Sequence, residues 1–159
     1  MLSHCSKDEL INLRRALNAI PPPLPACIYS DVAAQLSASG VRPPIASSVE
    51  KTLKEDFDLE KWRSAVDFAI FKKLESYQAI CLIIALGAGL LTAITYLLAL
   101  ERGGGMYVVF TGGIIGGFMG VGRFSAEKKS YVGNESNFQE VERLGLDFRR
   151  TESNSNDPY

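Results

Sequence analysis

The chain has few of the residues on which chemistry usually depends. Its 159 residues include one histidine, three cysteines and one tryptophan. The histidine, His4, stands beside Cys5 with no second pair of ligands, which excludes the spacing of a zinc site. Cys5, Cys27 and Cys81 are odd in number and far apart, which argues against a disulfide framework and for a reducing compartment. The net charge is -1, so no basic field offers itself to nucleic acid. There is no P-loop, no G-x-S-x-G, no H-E-x-x-H and no paired cysteine motif. The expectation is a non-enzymatic protein with no catalytic residue, no cofactor, no metal and no small-molecule substrate. The first twenty residues have no continuous apolar core, so no cleavable signal peptide is expected.

Charge is also missing from two long stretches, and this absence points to what the chain is. Ala79 to Leu100 holds no Asp, Glu, Lys, Arg or His over about 22 residues, roughly 33 Å of helix. Met106 to Gly122 is equally uncharged over about 17 residues, at the short end of the spanning range. Only Glu101 to Gly105 separates them. The fold expected is all-α: an integral membrane helical hairpin of two transmembrane helices, 79–100 and 106–122. A long amphipathic juxtamembrane helix and short flanking helices complete it. The segmentation is a soluble N-terminal segment at 1–57, the juxtamembrane helix at 58–78, the hairpin at 79–122, and a polar C-terminal segment at 123–159.

In the N-terminal segment, Ser6 and Glu9 have capping-box spacing, and Leu10, Leu13, Leu17 and Ile20 follow at helical intervals. Pro21, Pro22, Pro23, Leu24 and Pro25 suit polyproline II geometry, the form that WW- or SH3-type partners dock. Ser30-Asp31 reads as the cap of a helix through Ala38, Pro43-Pro44 as a break, and Ser47 with Glu50 as a second capping box. These helices hold too few large apolar residues for a sizeable core of their own. Trp62, Val66, Ala69, Ile70, Leu74 and Tyr77 line one face of the juxtamembrane helix. The residues expected at the membrane interface are Trp62, Lys72, Lys73, Tyr77, Arg123, Lys128 and Lys129. Near 136–145, Phe138, Val141 and Leu144 would share a face of one short helix, followed by a disordered tail.

The cationic flanks contrast with the connector, where Arg102 adjoins Glu101. The positive-inside rule then puts both termini on the cytoplasmic side, or on the matrix or stromal side of an organelle inner membrane, the mitochondrial one being preferred.

The second run carries Gly112, Gly116 and Gly120, with a further pair at Gly113 and Gly117. The first offers Ala85, Gly89 and Ala93. Small residues four apart let helix backbones approach closely in lipid. With a tight connector, Ala93 lies level with Gly113 and Gly89 with Gly117. The seam closes the hairpin on itself or receives a partner. Thr92, Thr95 and Thr111 are expected to bond within their own helices.

The GGIIGGFMG run and the hairpin form resemble Gly-rich hairpins of several unrelated families. Among these are cristae-organising and translocase subunits of mitochondria and the bilobed hydrophobic proteins of intracellular bacteria. The resemblance stops at that run and assigns no family. The leading expectation is an accessory, assembly or scaffold subunit of a membrane protein complex, with the bilayer and other subunits as partners. The alternatives are a self-oligomerising membrane-shaping or small-pore protein, and a membrane-anchored adaptor using the proline run.

Overall fold

A computed structural model describes residues 2–20, 31–54, 59–104 and 108–144. Among them the regular structure is helical, with no strand. A 3-10 turn at Leu2–His4 precedes α1 (Lys7–Ala19), α2 (Val32–Ala38), α3 (Pro43–Lys54), α4 (Leu59–Glu101) and α5 (Thr111–Lys128). Residues 135–144 are also helical. The chain divides into two compact units, Met1–Phe71 with Tyr131–Tyr159, and Lys72–Ser130.

In the first unit, Ser6 and Glu9 form the capping box that their spacing suggests, each side chain bonding the other's backbone N–H. Arg42 then pairs with Glu9 and reaches the carbonyl of His4. At the other end of α1, the Arg63 guanidinium donates to the carbonyls of Leu17 and Ile20, which have no partner within the helix. One arginine thus ties α1 to α4.

Two local expectations fail for reasons of helix-end chemistry. Pro43 and Pro44 do not break the chain; they open α3. Proline lacks only an N–H that the first turn leaves unpaired anyway, and its φ suits a helix start. Ser47 therefore lies inside α3 rather than at its cap. Asp31 precedes α2 without capping it through its side chain. Glu50 of α3 reaches across instead and accepts from the Ala33 N–H at 3.0 Å.

The core of this unit is fuller than the N-terminal sequence alone promises. Leu2, Leu10, Leu13, Leu17, Leu36, Val49, Trp62, Val66, Ile70 and Val141 are all fully buried. The start of α4 and the 135–144 helix supply apolar surface that the short helices lack. Trp62, expected at the membrane interface, is 1% exposed. Its indole N–H donates to Thr52 Oγ1 at 2.9 Å, and Thr52 is itself buried. It is a core residue: a buried indole is retained because its one donor is satisfied.

The C-terminal part is held by specific contacts. A Cβ at Gly133 would fall on the backbone of Phe68, so only glycine permits this approach. Asn134 N–H donates to Ser64 Oγ, Phe138 packs on Phe68, and Arg14 lies over the Tyr131 ring while pairing with Asp67. Glu142 accepts from the Ser3 N–H at 2.9 Å. Burial opposes its charge, yet hydrogen bonds from the start of the chain, including those of Ser3 and Leu2, hold its pKa below the usual glutamate value. Glu9 is lowered too, first by its bond from the Ser6 backbone.

A carboxylate depressed in the folded state adds stability above its unfolded pKa, about 4.3 for glutamate, and loses it as pH falls through the lower folded value. Acidification from pH 7 should leave the first unit intact to about pH 4 and weaken it below that. Trp62 is the sole tryptophan. Its emission should stay blue-shifted and protected from iodide at pH 7, and should lengthen in wavelength only below pH 4. An iodide-accessible Trp62 at neutral pH would contradict the buried placement.

Candidate functional site

The second unit holds the small-residue row and most of the interface residues that the sequence singles out. Helix α4 is 43 residues long, about 65 Å, and has no break. It is the one helix among the described residues long and apolar enough to cross a membrane, and only 6% of its apolar window is buried. Ile83 is 68% exposed, and Leu86, Leu90, Leu97 and Leu100 are exposed as well. A core helix of a water-soluble protein would have that surface covered. A bare apolar band of this extent marks a membrane or protein contact.

Helix α5 starts at Thr111, later than the expected 106. Met106 and Tyr107 lie outside the described residues, and 108–110 are not helical. Its apolar part, 111–122, is about 12 residues or 18 Å, after which Arg123, Glu127 and Lys128 follow. The apolar part of the helix alone is thus too short to cross a hydrocarbon core of about 30 Å. Gly103 and Gly104, at positive φ, turn the chain at the end of α4. Their N–H groups bond back to Leu100 and Ala99 carbonyls.

The two helices meet along a row of small residues. A Cβ on Gly113 would lie 2.7 Å from the Cβ of Ala88. One on Gly117 would lie 2.6 Å from the Cβ of Ala85 and 2.7 Å from the carbonyl oxygen of Cys81. One on Gly120 would lie 2.6 Å from the Cys81 sulfur. The contact row is therefore Gly113, Gly117 and Gly120 against Ala88, Ala85 and Cys81. Gly112 and Gly116 have open space where a side chain would be, as does Gly89 on α4. Ala93 is exposed.

Of the small residues singled out by sequence, Ala85, Gly113, Gly117 and Gly120 are brought together; Gly89, Ala93, Gly112 and Gly116 are not. Cys81 and Ala88 were missed. A row stepping always by four drifts about 40° around a helix at each step. Alternating steps of four and three hold one face, and both contact rows have that alternation. The register is also shifted, with Gly113 beside Ala88 rather than Ala93. Non-helical backbone covers up to about 3.3 Å per residue against 1.5 Å for helix, so 108–110 carries the chain further along α4 than a helical turn would.

That segment is fastened by Thr92 and Thr95. Thr95 Oγ1 lies 2.9 Å from the Val108 carbonyl oxygen, and Phe110 N–H donates to Thr92 Oγ1 at 3.1 Å. Both hydroxyls also meet carbonyls of their own helix, as expected. Their second role, satisfying non-helical backbone, could not be read from spacing. Thr111 begins α5 and is exposed.

At the other end of the pair, Glu75 lies 3.4 Å from Lys72 and 3.9 Å from Lys128, while Tyr77 and Phe124 rings are 5.7 Å apart. Lys73, Arg123 and Lys129 belong to the same end. Pro21 to Pro25 lie outside the described residues. Among the described residues no three His, Cys, Asp or Glu side chains group as metal ligands. Comparison with protein-family models, curated proteins and solved structures finds no match to this chain.

The two glycine faces make opposite demands on substitution. Gly117→Ala should destabilise the α4–α5 pair by about 1–3 kcal/mol, the usual range for forced overpacking. Gly116→Ala should be neutral or slightly stabilising in the isolated chain, since alanine is the better helix former. Thermal unfolding of the detergent-solubilised variants checks this. Equal effects at both positions would contradict the contact row.

Proposed function

We propose that the chain is a non-enzymatic integral membrane protein whose α4–α5 hairpin packs into a larger membrane complex as an accessory, assembly or scaffold subunit. The observation that carries this reading is the bare apolar surface of α4 beyond Tyr77, which none of the described residues covers. Lipid is the surrounding in which such a surface is stable.

The return crossing would be made by α5 together with the non-helical segment before it. The 18 Å of apolar helix and up to about 10 Å from 108–110 approach the hydrocarbon thickness. Backbone outside a helix is tolerated at that depth only where its polar groups find protein partners. The Thr92 and Thr95 hydroxyls serve that need for Phe110 and Val108. Both ends of the hairpin would then emerge on the side bearing Lys72, Lys73, Arg123, Lys128 and Lys129, the cytoplasmic or matrix side by the positive-inside rule.

With Gly113, Gly117 and Gly120 occupied by α4, Gly112 and Gly116 remain for another helix. A neighbouring subunit approaching there would gain the close backbone packing that stands in for the hydrophobic effect in lipid. The same open face supports a second reading, self-association, because two copies would present identical rows to each other.

Mild-detergent extraction from the native membrane, native-gel sizing and mass spectrometry of the band test the proposal. The wild type should run in a large band with other proteins. Gly116→Leu should insert normally but migrate at the size of the unassembled chain. A ladder of the chain alone would replace the first reading with the second. Unchanged migration of Gly116→Leu would remove that face from the assembly.

A further inference from the structure

We propose that the cationic end of the second unit binds the headgroups of anionic phospholipids in preference to zwitterionic ones. This rests on the membrane reading above and adds a lipid class to it.

Helix α4 brings Lys72, Lys73 and Glu75 to this end, and α5 brings Arg123, Glu127, Lys128 and Lys129. The 3.9 Å approach of Lys128 to Glu75 shows that the two sets lie side by side. Glu75 is already shared between Lys72 and Lys128. Lys73, Arg123 and Lys129 have no ion pair among the described residues, and Arg123 and Lys129 are exposed. The opposite end has Arg102 beside Glu101 and no surplus of either sign. One end of the pair therefore carries an excess of cations, and the other does not.

The position of this excess selects the partner. The Tyr77–Phe124 ring pair borders it, with Tyr77 40% exposed. The bare band of Ile80, Ile83 and Ile84 begins directly beyond. Along α4 the order is cations, then Tyr77, then apolar surface, while on α5 Arg123 stands beside Phe124 with Lys128 and Lys129 beyond it; this is the order of a leaflet read inward from its headgroups. Lysine and arginine side chains at such a depth extend to the headgroup phosphates. In a zwitterionic lipid the headgroup ammonium cancels the phosphate charge, whereas an anionic lipid keeps a net negative charge, to which each nearby cation strengthens the attraction by roughly fivefold. Nucleic acid or an acidic protein would match the charge but leave the adjoining apolar band unused.

The full chain in neutral detergent would be titrated calorimetrically with dioctanoyl phosphatidylglycerol, with dioctanoyl phosphatidylcholine, and with inorganic phosphate. The expected result is a preference for the glycerol lipid of about tenfold or more, weakened by salt, with no measurable phosphate binding. The double variant Arg123→Gln, Lys129→Gln should lose most of that preference at unchanged helical content. Arg102→Gln, at the other end, should keep it. Equal binding of the two lipids, or an unaffected double variant, would overturn the proposal. Phosphate competing as well as the lipid would make this a free-anion site and overturn it too. Alkaline carbonate extraction separates the two readings. Release from vesicles would defeat the membrane reading, whereas retention with equal lipid binding would defeat this inference alone.

Discussion

Helix α4 is wrapped by other helices over its first turns and bare over its last, without a break in its backbone. The rest of the structure depends on that constraint. One continuous helix must present a surface suited to a protein core and then one suited to an apolar solvent. The first demand is met by Trp62, Val66 and Ile70, which are fully buried, and the same stretch is tied to α1, α3 and the 135–144 helix through Arg63 and Leu17, Trp62 and Thr52, and Phe68 and Phe138. The second is met by a run without charge. Helix propensity alone would not hold so long a helix together in water; burial does so at one end. Lipid would do so at the other, where the backbone has no competitor for its hydrogen bonds.

Small residues decide how closely α5 returns along α4. At Gly113, Gly117 and Gly120 the backbone of α5 comes within reach of α4 because nothing projects between them. Gly133 does the same in the first unit against Phe68. Both are contacts that one methyl group would displace, and neither depends on polar pairing. Thr92 and Thr95 supply the polar complement, bonding backbone that leaves helical geometry where no water is expected.

Much of this was legible in the residues. The absence of charge from Ala79 to Leu100 marked the bare segment. The Ser6–Glu9 spacing marked the start of α1, and the step of Leu10, Leu13 and Leu17 marked its buried face. What escaped has physical causes. Trp62 is as suitable for a core as for a headgroup layer, and only the position of Thr52 decides between them. Pro43 and Pro44 stop a helix or start one according to the side they are approached from. The core of the first unit draws on Val141 and Leu2, which are distant in sequence, so counting apolar residues in the N-terminal helices underestimated it. The glycine rows were recognised by composition, but their partner register turned on the backbone of 108–110. Three non-helical residues there shift every pairing by about one turn.

On the proposed reading, the surface of α4 beyond Tyr77 is solvated by lipid. Spin labels placed singly at Ile83, Leu90 and Leu97 of the vesicle-reconstituted chain test it most directly, through their collision rates with oxygen and with a water-soluble nickel chelate. Lipid solvation predicts high oxygen and low nickel accessibility at all three positions, with the oxygen rate varying with depth. Ready nickel access would place that surface in water. Low access to both reagents would place it inside a protein core, and either result would contradict the account.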